Sequence, residues 1–239
     1  MKNLLFVSLI TLILINCKQT EKSSDIEEPA GQIVICQIDS VYSNILGESR
    51  KIWVYVPDNY LDGTSKKVTY PVSFGTSQNI KYPVLFLLDG RSHFYSVTGM
   101  IRQLSSINNN KIVPKMIVIG ILNTNRWRDL SPSKIEIDHF TGDSIPFETG
   151  GGNRFLDFIE KELIPHVEQN YPATPYRTFV GHSLGGLSVL NALMTIPNLF
   201  NNYVSIDPAL MWDNRTFLMS LDSALTTNQF NNRNLYLGV

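Results

Sequence analysis

The chain has 239 residues, of which 43% are hydrophobic and 17% charged, and its formal net charge is −1. This composition is typical of a globular α/β or all-β domain and excludes a disordered or fibrous chain. No run of five or more Lys or Arg residues occurs. The absence of a basic stripe in the sequence argues against nucleic acid as a partner.

The amino-terminal residues predict export. Lys2 precedes an apolar run over residues 4–15, which is shorter than the about 20 residues of a membrane span but suits a secretory signal. Cys17 and a polar tract follow. This arrangement resembles a bacterial lipoprotein signal, with cleavage before Cys17 and lipid on its thiol, although Asn16 stands where Gly or Ala is usual. The alternative is an ordinary signal peptide with an incidental cysteine.

The lipoprotein interpretation gives a signal peptide over residues 1–16, a tether over 17–31 and one domain over 32–239. It places the protein outside the cytoplasm, anchored by lipid to a bacterial membrane and located in the periplasm or at the outer membrane. If Cys17 carries lipid, Cys36 has no partner for an intramolecular disulfide, and we expect it to be a buried small hydrophobic residue. Two cysteines and four scattered histidines show no zinc spacing, so we predict no metal and no cofactor.

Strand and helix patterns alternate from residue 32 onward. Residues 32–43 and 49–60 are rich in β-branched and aromatic residues and predict two early strands, and residues 64–82 predict a loop. Uniformly apolar runs are typical of parallel strands that are buried on both faces. Five such runs are predicted as strands, over residues 82–90, 114–122, 177–181, 202–207 and 234–239.

Two segments predict helices. Apolar residues recur at steps of three and four over residues 150–171, where we expect Pro165 to kink or restart the helix. Residues 184–197 predict a second helix that is buried on most sides. The alternation of these elements predicts an α/β fold with a mostly parallel sheet and helices on both faces.

The segment Gly181-His182-Ser183-Leu184-Gly185 lies between a predicted strand and a predicted helix. A Gly-x-Ser-x-Gly sequence in this position is the nucleophile-elbow pattern, in which a sharp turn exposes the serine hydroxyl above the sheet. The N–H of Leu184, at the start of the helix, can donate to an oxyanion. The alternative is a purely structural Gly-rich turn.

A second N–H donor is expected after another buried strand. Asp89-Gly90 ends the run over 82–90, and the N–H of Arg91 is placed to face the serine. The alternative is a simple β-turn, because Asp-Gly is a common turn pair.

Five stretches, in this order, resemble the putative-esterase (esterase D-like) family of α/β hydrolases, which includes siderophore and feruloyl esterases. They are "YPVLFLLDGRSHF", "IVIGILNTNRWRDLSPS", "GGGNRFLDFIEKELIPHVEQNYPATPYRTFVGHSLGGL", "LFNNYVSIDPALMWDN" and "NLYLGV". The resemblance implies an α/β-hydrolase fold. It also implies Ser183 as the nucleophile and the N–H groups of Leu184 and Arg91 as the oxyanion hole.

The resemblance further implies pocket residues. Asn123, Arg126 and Asp129 match the family's "N-t-x-R-x-x-D" loop, which implies either substrate contact or a hydrogen-bonded loop clamp. His93 follows the oxyanion loop and is a candidate to line the pocket. Trp212 falls in a segment that the family writes "S-P-S-x-W-W" and this chain writes "DPALMW". That wall of the pocket is therefore altered, and packing is the expected role of Trp212.

A serine nucleophile needs a base, and in this fold the acid and the histidine follow the serine along the chain. The four histidines, at positions 93, 139, 166 and 182, all precede Ser183, and His139 is only a weak candidate for a substitute base. Asp207 is the best-placed acid. We therefore expect that the last strand, the last helix and the remaining catalytic residues lie beyond residue 239, and that this chain is inactive without them. The alternative is a natural chain whose activity has decayed.

The sequence thus predicts a serine esterase that hydrolyses a small-molecule carboxylic ester through an acyl-enzyme on Ser183. Two alternatives remain open at this point. One is an acyltransferase that uses the same site. The other is a non-catalytic, ligand-binding lipoprotein with a decayed hydrolase fold.

Overall fold

The computed structural model describes residues 35–57, 81–138, 141–227 and 230–238. The predicted signal peptide, the tether with Cys17, nearly all of the predicted loop over 64–82, and His139 lie outside these residues. None of the helices within the described ranges is long and apolar enough to cross a bilayer.

The central sheet has seven strands in the order β1-β2-β4-β3-β5-β6-β7. The antiparallel pairs are β1 with β2 and β2 with β4, and all other neighbours are parallel. The prediction of a mostly parallel sheet is therefore confirmed. The strands are β1 (Gln37–Ser43), β2 (Glu48–Tyr55), β3 (Tyr82–Leu87), β4 (Ile117–Ile121), β5 (Ala173–His182), β6 (Asn202–Ile206) and β7 (Asn234–Gly238).

Helices cover both faces of this sheet. They are α1 (Gly90–Ser105), α2 (Arg126–Leu130), α3 (Gly152–Phe158), α4 (Ile164–Asn170), α5 (Leu184–Thr195) and α6 (Thr216–Thr227). Short 3₁₀ turns occupy Ile107–Asn109 and Trp212–Arg215. Helix α1 was not among the predicted helices, although its buried residues Phe94, Thr98, Ile101 and Ser105 recur at helical steps of three and four.

The core lies on the two faces of the sheet. Along β3, Val84 and Phe86 join the larger cluster under α3, α4 and α5, while Leu85 and Leu87 join the cluster under α1. This follows from the two-residue period of a strand, and it explains why the β3 sequence is apolar throughout. Cys36 is partly buried against the α1 cluster, and burial raises the pKa of its thiol.

The helix predicted over residues 150–171 is interrupted before Pro165. A π-helical turn over Ile159–Leu163 separates α3 from α4, and Pro165 stands in the first turn of α4. Proline has no N–H to donate to the preceding turn, so it is tolerated at a helix start. The expected restart at Pro165 is confirmed.

Candidate active site

Ser183 lies between the end of β5 and the first residue of α5. Its backbone has φ 56° and ψ −120°, a strained conformation for a residue with a side chain. The Ser183 N–H donates to the carbonyl of Ile206 at 3.0 Å, and the Ala209 N–H donates to the carbonyl of Ser183 at 3.1 Å. These two bonds fix the bend against the segment after β6. The side chain of Ser183 is half-buried at the carboxyl edge of the sheet.

The bend leaves no room for a side chain at position 181 and little room at position 185. A Cβ at Gly181 would lie 2.3 Å from the carbonyl oxygen of Gly185, which is closer than atoms approach. A Cβ at Gly185 would lie 3.2 Å from a carboxylate oxygen of Asp89. The elbow therefore packs directly on the residue that precedes α1.

Two helix amino termini meet at this edge. Leu184 is the first residue of α5 and Arg91 the second residue of α1, so the N–H of neither has an acceptor within its own helix. Strands β3 and β5 are neighbours, and the Leu88 N–H donates to the carbonyl of Val180 at 2.9 Å. The oxyanion segment, expected to be a loop, is therefore the first turn of a helix.

Asp89 holds two of the predicted pocket residues. It precedes α1 with φ 51°, and its carboxylate accepts hydrogen bonds from Arg126 at 2.7 and 2.9 Å and from Asn123 at 2.6 Å. Burial alone would raise the pKa of Asp89, but the bonds from Arg126 and Asn123 outweigh it, so the pKa lies below its usual value. The sequence predicts Asp89 only as a turn residue, because its partners lie more than thirty residues away along the chain.

Asp129 is placed differently from the prediction of substrate contact. Its side chain is only 1% exposed, and its two carboxylate oxygens accept hydrogen bonds from Arg50 at 2.6 Å and Arg128 at 2.7 Å. Arg50 and Arg128 also pair with Glu48, so the two arginines join the carboxylates of Asp129 and Glu48. Asp129 is therefore not placed to contact a substrate. Its geometry matches the alternative, a hydrogen-bonded loop clamp that is buried.

The described histidines fall into two groups. The rings of His93 and His182 lie edge to face, with centroids 5.6 Å apart, beside the elbow. His166 lies elsewhere, on α4, where its Nε2 is 2.7 Å from a carboxylate oxygen of Asp39.

Trp212 stacks in a column of aromatic rings. Its indole is 8% exposed, its Nε1 donates to the carbonyl of Ser133 at 3.3 Å, and its ring lies 6.0 Å from that of Trp127. The ring of Phe147 stacks on that of Trp127, with the ring centroids 4.5 Å apart. Packing therefore accounts for Trp212, while Trp127 and Phe147, each more than a third exposed, form the open end of the column.

A cavity of about 280 Å³ lies beside the column and contains none of the elbow residues. Charged side chains of both signs line it, together with Phe147 and the glycines before α3. Within the described ranges, no group of three or more His, Cys, Asp or Glu side chains is placed to hold a metal ion.

A mostly parallel sheet with helices on both faces, and a strained serine at the bend between β5 and α5, defines an α/β hydrolase. The family model described as "Putative esterase" matches residues 43–234. The chain belongs to that family.

Relatives agree with this assignment. The chain is 34% identical over 162 residues to the ferri-bacillibactin esterase BesA of Bacillus subtilis. This match covers 63% of the chain. It is 30% identical over 169 residues to a siderophore enterobactin esterase of Emericella nidulans, which also covers 63% of this chain. The matched region spans 55% of each of these two proteins.

A solved structure shows the same fold. The structure of an IroE-like serine hydrolase from Shewanella oneidensis superposes with a TM-score of 0.73 and 32% sequence identity. The match covers 84% of this chain and 60% of that chain.

Proposed function

We propose that this protein is a serine esterase that hydrolyses a carboxylic ester through an acyl-enzyme on Ser183. The observation that carries this proposal is the strained bend at Ser183 beside the amino termini of α5 and α1. A strained conformation persists only where surrounding contacts hold it, and such residues cluster at active sites.

The proposed reaction begins when the Ser183 hydroxyl attacks the ester carbonyl and passes its proton to a general base, which the family resemblance implies is a histidine. The N–H groups of Leu184 and Arg91 donate to the oxyanion of the tetrahedral intermediate. Collapse of this intermediate breaks the ester bond and releases the alcohol, which takes up the proton. Water then attacks the acyl-enzyme and frees the acid.

The surroundings of the elbow support a substrate with acceptor groups. The Arg126 side chain is 31% exposed although Asp89 holds it, and Asn123 is exposed beside it. We assign both as substrate contacts, with His93 and the edge of Trp212 as walls of the pocket. The names of the two relatives point to a siderophore ester as the substrate class.

A fluorophosphonate probe tests the nucleophile, because it reacts covalently with an activated serine. We expect labelling of the full-length protein at Ser183 and none in Ser183→Ala. Ser96→Ala, which alters an exposed serine on α1, is the matched control and should label fully. A folded full-length protein that the probe does not label would rule out the esterase proposal.

Substrate class is tested by product analysis. We expect the full-length protein to cleave a siderophore ester faster than a simple acetyl ester, with the free acid as the product. Transfer of the acyl group to an added alcohol, at the expense of the free acid, would instead indicate an acyltransferase.

We also propose that Cys17 carries a lipid anchor. The sequence around it supports this, since an apolar run ends just before the cysteine and a polar tract follows. In cells that express the protein and are grown with labelled palmitate, the protein should carry the label. Cys17→Ala should abolish this labelling. Label that persists in Cys17→Ala would contradict the anchor.

A further inference from the structure

We propose that the cavity of about 280 Å³ beside the aromatic column binds a free apolar α-amino acid, and that it holds both the ammonium and the carboxylate group. The walls of the cavity come from the turn between β1 and β2, from α2, from the connection of α2 to α3 and from the first turn of α3. None of the residues that line it belongs to the elbow at Ser183, so the site is additional to the proposed esterase site.

Part of the charge at the cavity is already neutralised within the protein. The Arg128 guanidinium binds the carboxylates of Glu48 and Asp129, with a distance of 2.7 Å in each pair. The ammonium group of Lys134 lies 2.7 Å from a carboxylate oxygen of Glu136. Because these groups satisfy one another, they do not select the charge of a ligand.

Arg154 and Glu148 also line the cavity, and neither has an ion partner among the described contacts. The Nε of Arg154 donates to the carbonyl of Ile45 at 2.7 Å, and among the described contacts its two terminal nitrogens have no acceptor. The Glu148 carboxylate accepts one long hydrogen bond, of 3.5 Å, from Asn125. A guanidinium binds a carboxylate, and a carboxylate binds an ammonium group. One available cation and one available anion at the same cavity therefore favour a zwitterion over an ion of either sign.

The remaining side chains and the volume select the body of the ligand. Leu46, Ile135, Ile145 and Phe147 bring apolar side chains to the cavity, which suits an apolar ligand body. At about 30 Å³ for each non-hydrogen atom, as in liquid water, the volume holds about nine such atoms. This is the size of a leucine molecule and is too small for a peptide of several residues.

Hydrogen bonds fix the walls of the cavity in advance of binding. The hydroxyl of Thr149 accepts from the N–H of Ile135 and donates to its carbonyl, at 2.9 Å in both cases. The Gly151 N–H donates to the carbonyl of Arg128 at 2.8 Å, which joins the start of α3 to α2. The bond from Arg154 to Ile45 joins α3 to the turn between β1 and β2. A preformed site loses little conformational entropy when it is filled, which favours the binding of a small molecule.

Isothermal titration calorimetry tests this site in the full-length protein with Ser183→Ala, so that no ester chemistry contributes. We expect L-leucine to bind. Two analogues that each lack one charge, 4-methylpentanoate without the ammonium group and 3-methylbutylamine without the carboxylate, should bind at least about tenfold more weakly. An analogue that binds as tightly as leucine would show that the site takes an ion of one sign, and this would overturn the proposal. The absence of leucine binding at millimolar concentration would overturn it as well.

Removal of the two available charges assigns the binding to this cavity. Arg154→Gln and Glu148→Gln should each weaken leucine binding at least about tenfold. Lys161→Gln and Glu160→Gln are the matched controls, because they remove the same charges from the π-helical turn, do not line the cavity and should leave binding unchanged. Glu148→Gln alters an exposed side chain, so it tests the site even if Arg154→Gln loosens the contact with Ile45.

Leucine affinity that neither Arg154→Gln nor Glu148→Gln lowers would overturn the proposal. Fluorophosphonate labelling of the parent protein is measured separately. A failure of the amino-acid site is therefore distinguishable from a failure of the proposed esterase function.

Discussion

Three neighbouring strands, β3, β5 and β6, are each followed within two residues by a non-glycine residue with positive φ: Asp89 at 51°, Ser183 at 56° and Asp207 at 42°. Such conformations cost about 1–3 kcal/mol each and persist only where contacts hold them. Here the contacts are local and mutual, since Ser183 binds the segment after β6 and Gly185 packs on Asp89. Three consecutive bends therefore shape one edge of the sheet.

Gly181→Ala should destabilise this edge. The new Cβ would lie 2.3 Å from the Gly185 carbonyl oxygen, so the backbone must shift, and we expect a loss of about 1–3 kcal/mol in the free energy of unfolding. Gly99→Ala is the control, because its Cβ meets nothing within 4 Å in the middle of α1, and it should stabilise by about 0.5–1 kcal/mol. Urea unfolding measures both. Equal stability of the two variants would contradict the geometry of the elbow.

Asp89→Asn should lower kcat/KM for ester hydrolysis by up to about 10²-fold, because a small misplacement of a positioning group has effects of that size. The substitution removes the charge that holds Arg126 in place beside the elbow. Steady-state kinetics on the full-length protein measure the change. Asp157→Asn, which alters a surface pair with Lys161, should leave kcat/KM unchanged. Unchanged kinetics in Asp89→Asn would show that the clamp has no part in the reaction.

At the scale of elements, the π-helical turn between α3 and α4 has a visible consequence. Glu162 lies in this turn, and its carboxylate accepts hydrogen bonds from the N–H groups of Asn44 at 2.9 Å and Ile45 at 3.2 Å, and from the hydroxyl of Ser43. These three donors belong to the end of β1 and the turn that connects it to β2. One side chain thus fixes the antiparallel hairpin to the helical layer.

Glu162→Ala should therefore release the β1–β2 turn. We expect a loss of about 1.5–3 kcal/mol, as is usual for hydrogen bonds to a charged group. Faster hydrogen exchange at Asn44 and Ile45 should accompany the loss. Glu160→Ala changes the same residue type in the same turn, and among the described contacts its carboxylate receives no hydrogen bond, so it is the control. Unaltered exchange at both amides in Glu162→Ala would refute this role.

At the scale of the whole molecule, carboxylates tie β1, β2 and the end of β3 to the helical layers. Burial alone would raise the pKa values of Asp39, Glu48 and Asp89, but hydrogen bonds outweigh it in each case and the pKa values lie below the usual ones. The donors are His166 and Tyr171 for Asp39, Arg128 and Arg50 for Glu48, and Arg126 and Asn123 for Asp89.

A depressed folded-state pKa gives stability that is present above the unfolded-state pKa and is lost as the pH falls through the folded-state value. Unfolded Asp and Glu have pKa values of about 3.9 and 4.3. We therefore expect these three groups to contribute fully at pH 5–7 and to lose their contribution below about pH 4. Urea unfolding across this range measures it, and Asp39→Asn should show a weaker loss in acid than the parent. A parent protein that becomes more stable below pH 4 would contradict the assignment.

Much of the fold was predictable because its signals are local. The apolar runs of β3, β4 and β6, the proline at which α4 starts, and the glycines around Ser183 each lie within a few neighbouring residues. Helix α1 carries a signal of the same local kind that the sequence-based prediction left unused, since its buried positions 94, 98, 101 and 105 recur at steps of three and four.

The sequence by itself determined the class of fold and the position of the candidate nucleophile, because both depend on the conformations that short segments can adopt. The tertiary structure decided the surroundings of that serine. The bond between Asp89 and Arg126 joins residues 37 positions apart, and that between Arg50 and Asp129 joins residues 79 positions apart. No local pattern encodes such pairs, since they form only when the sheet brings distant strand ends to one edge.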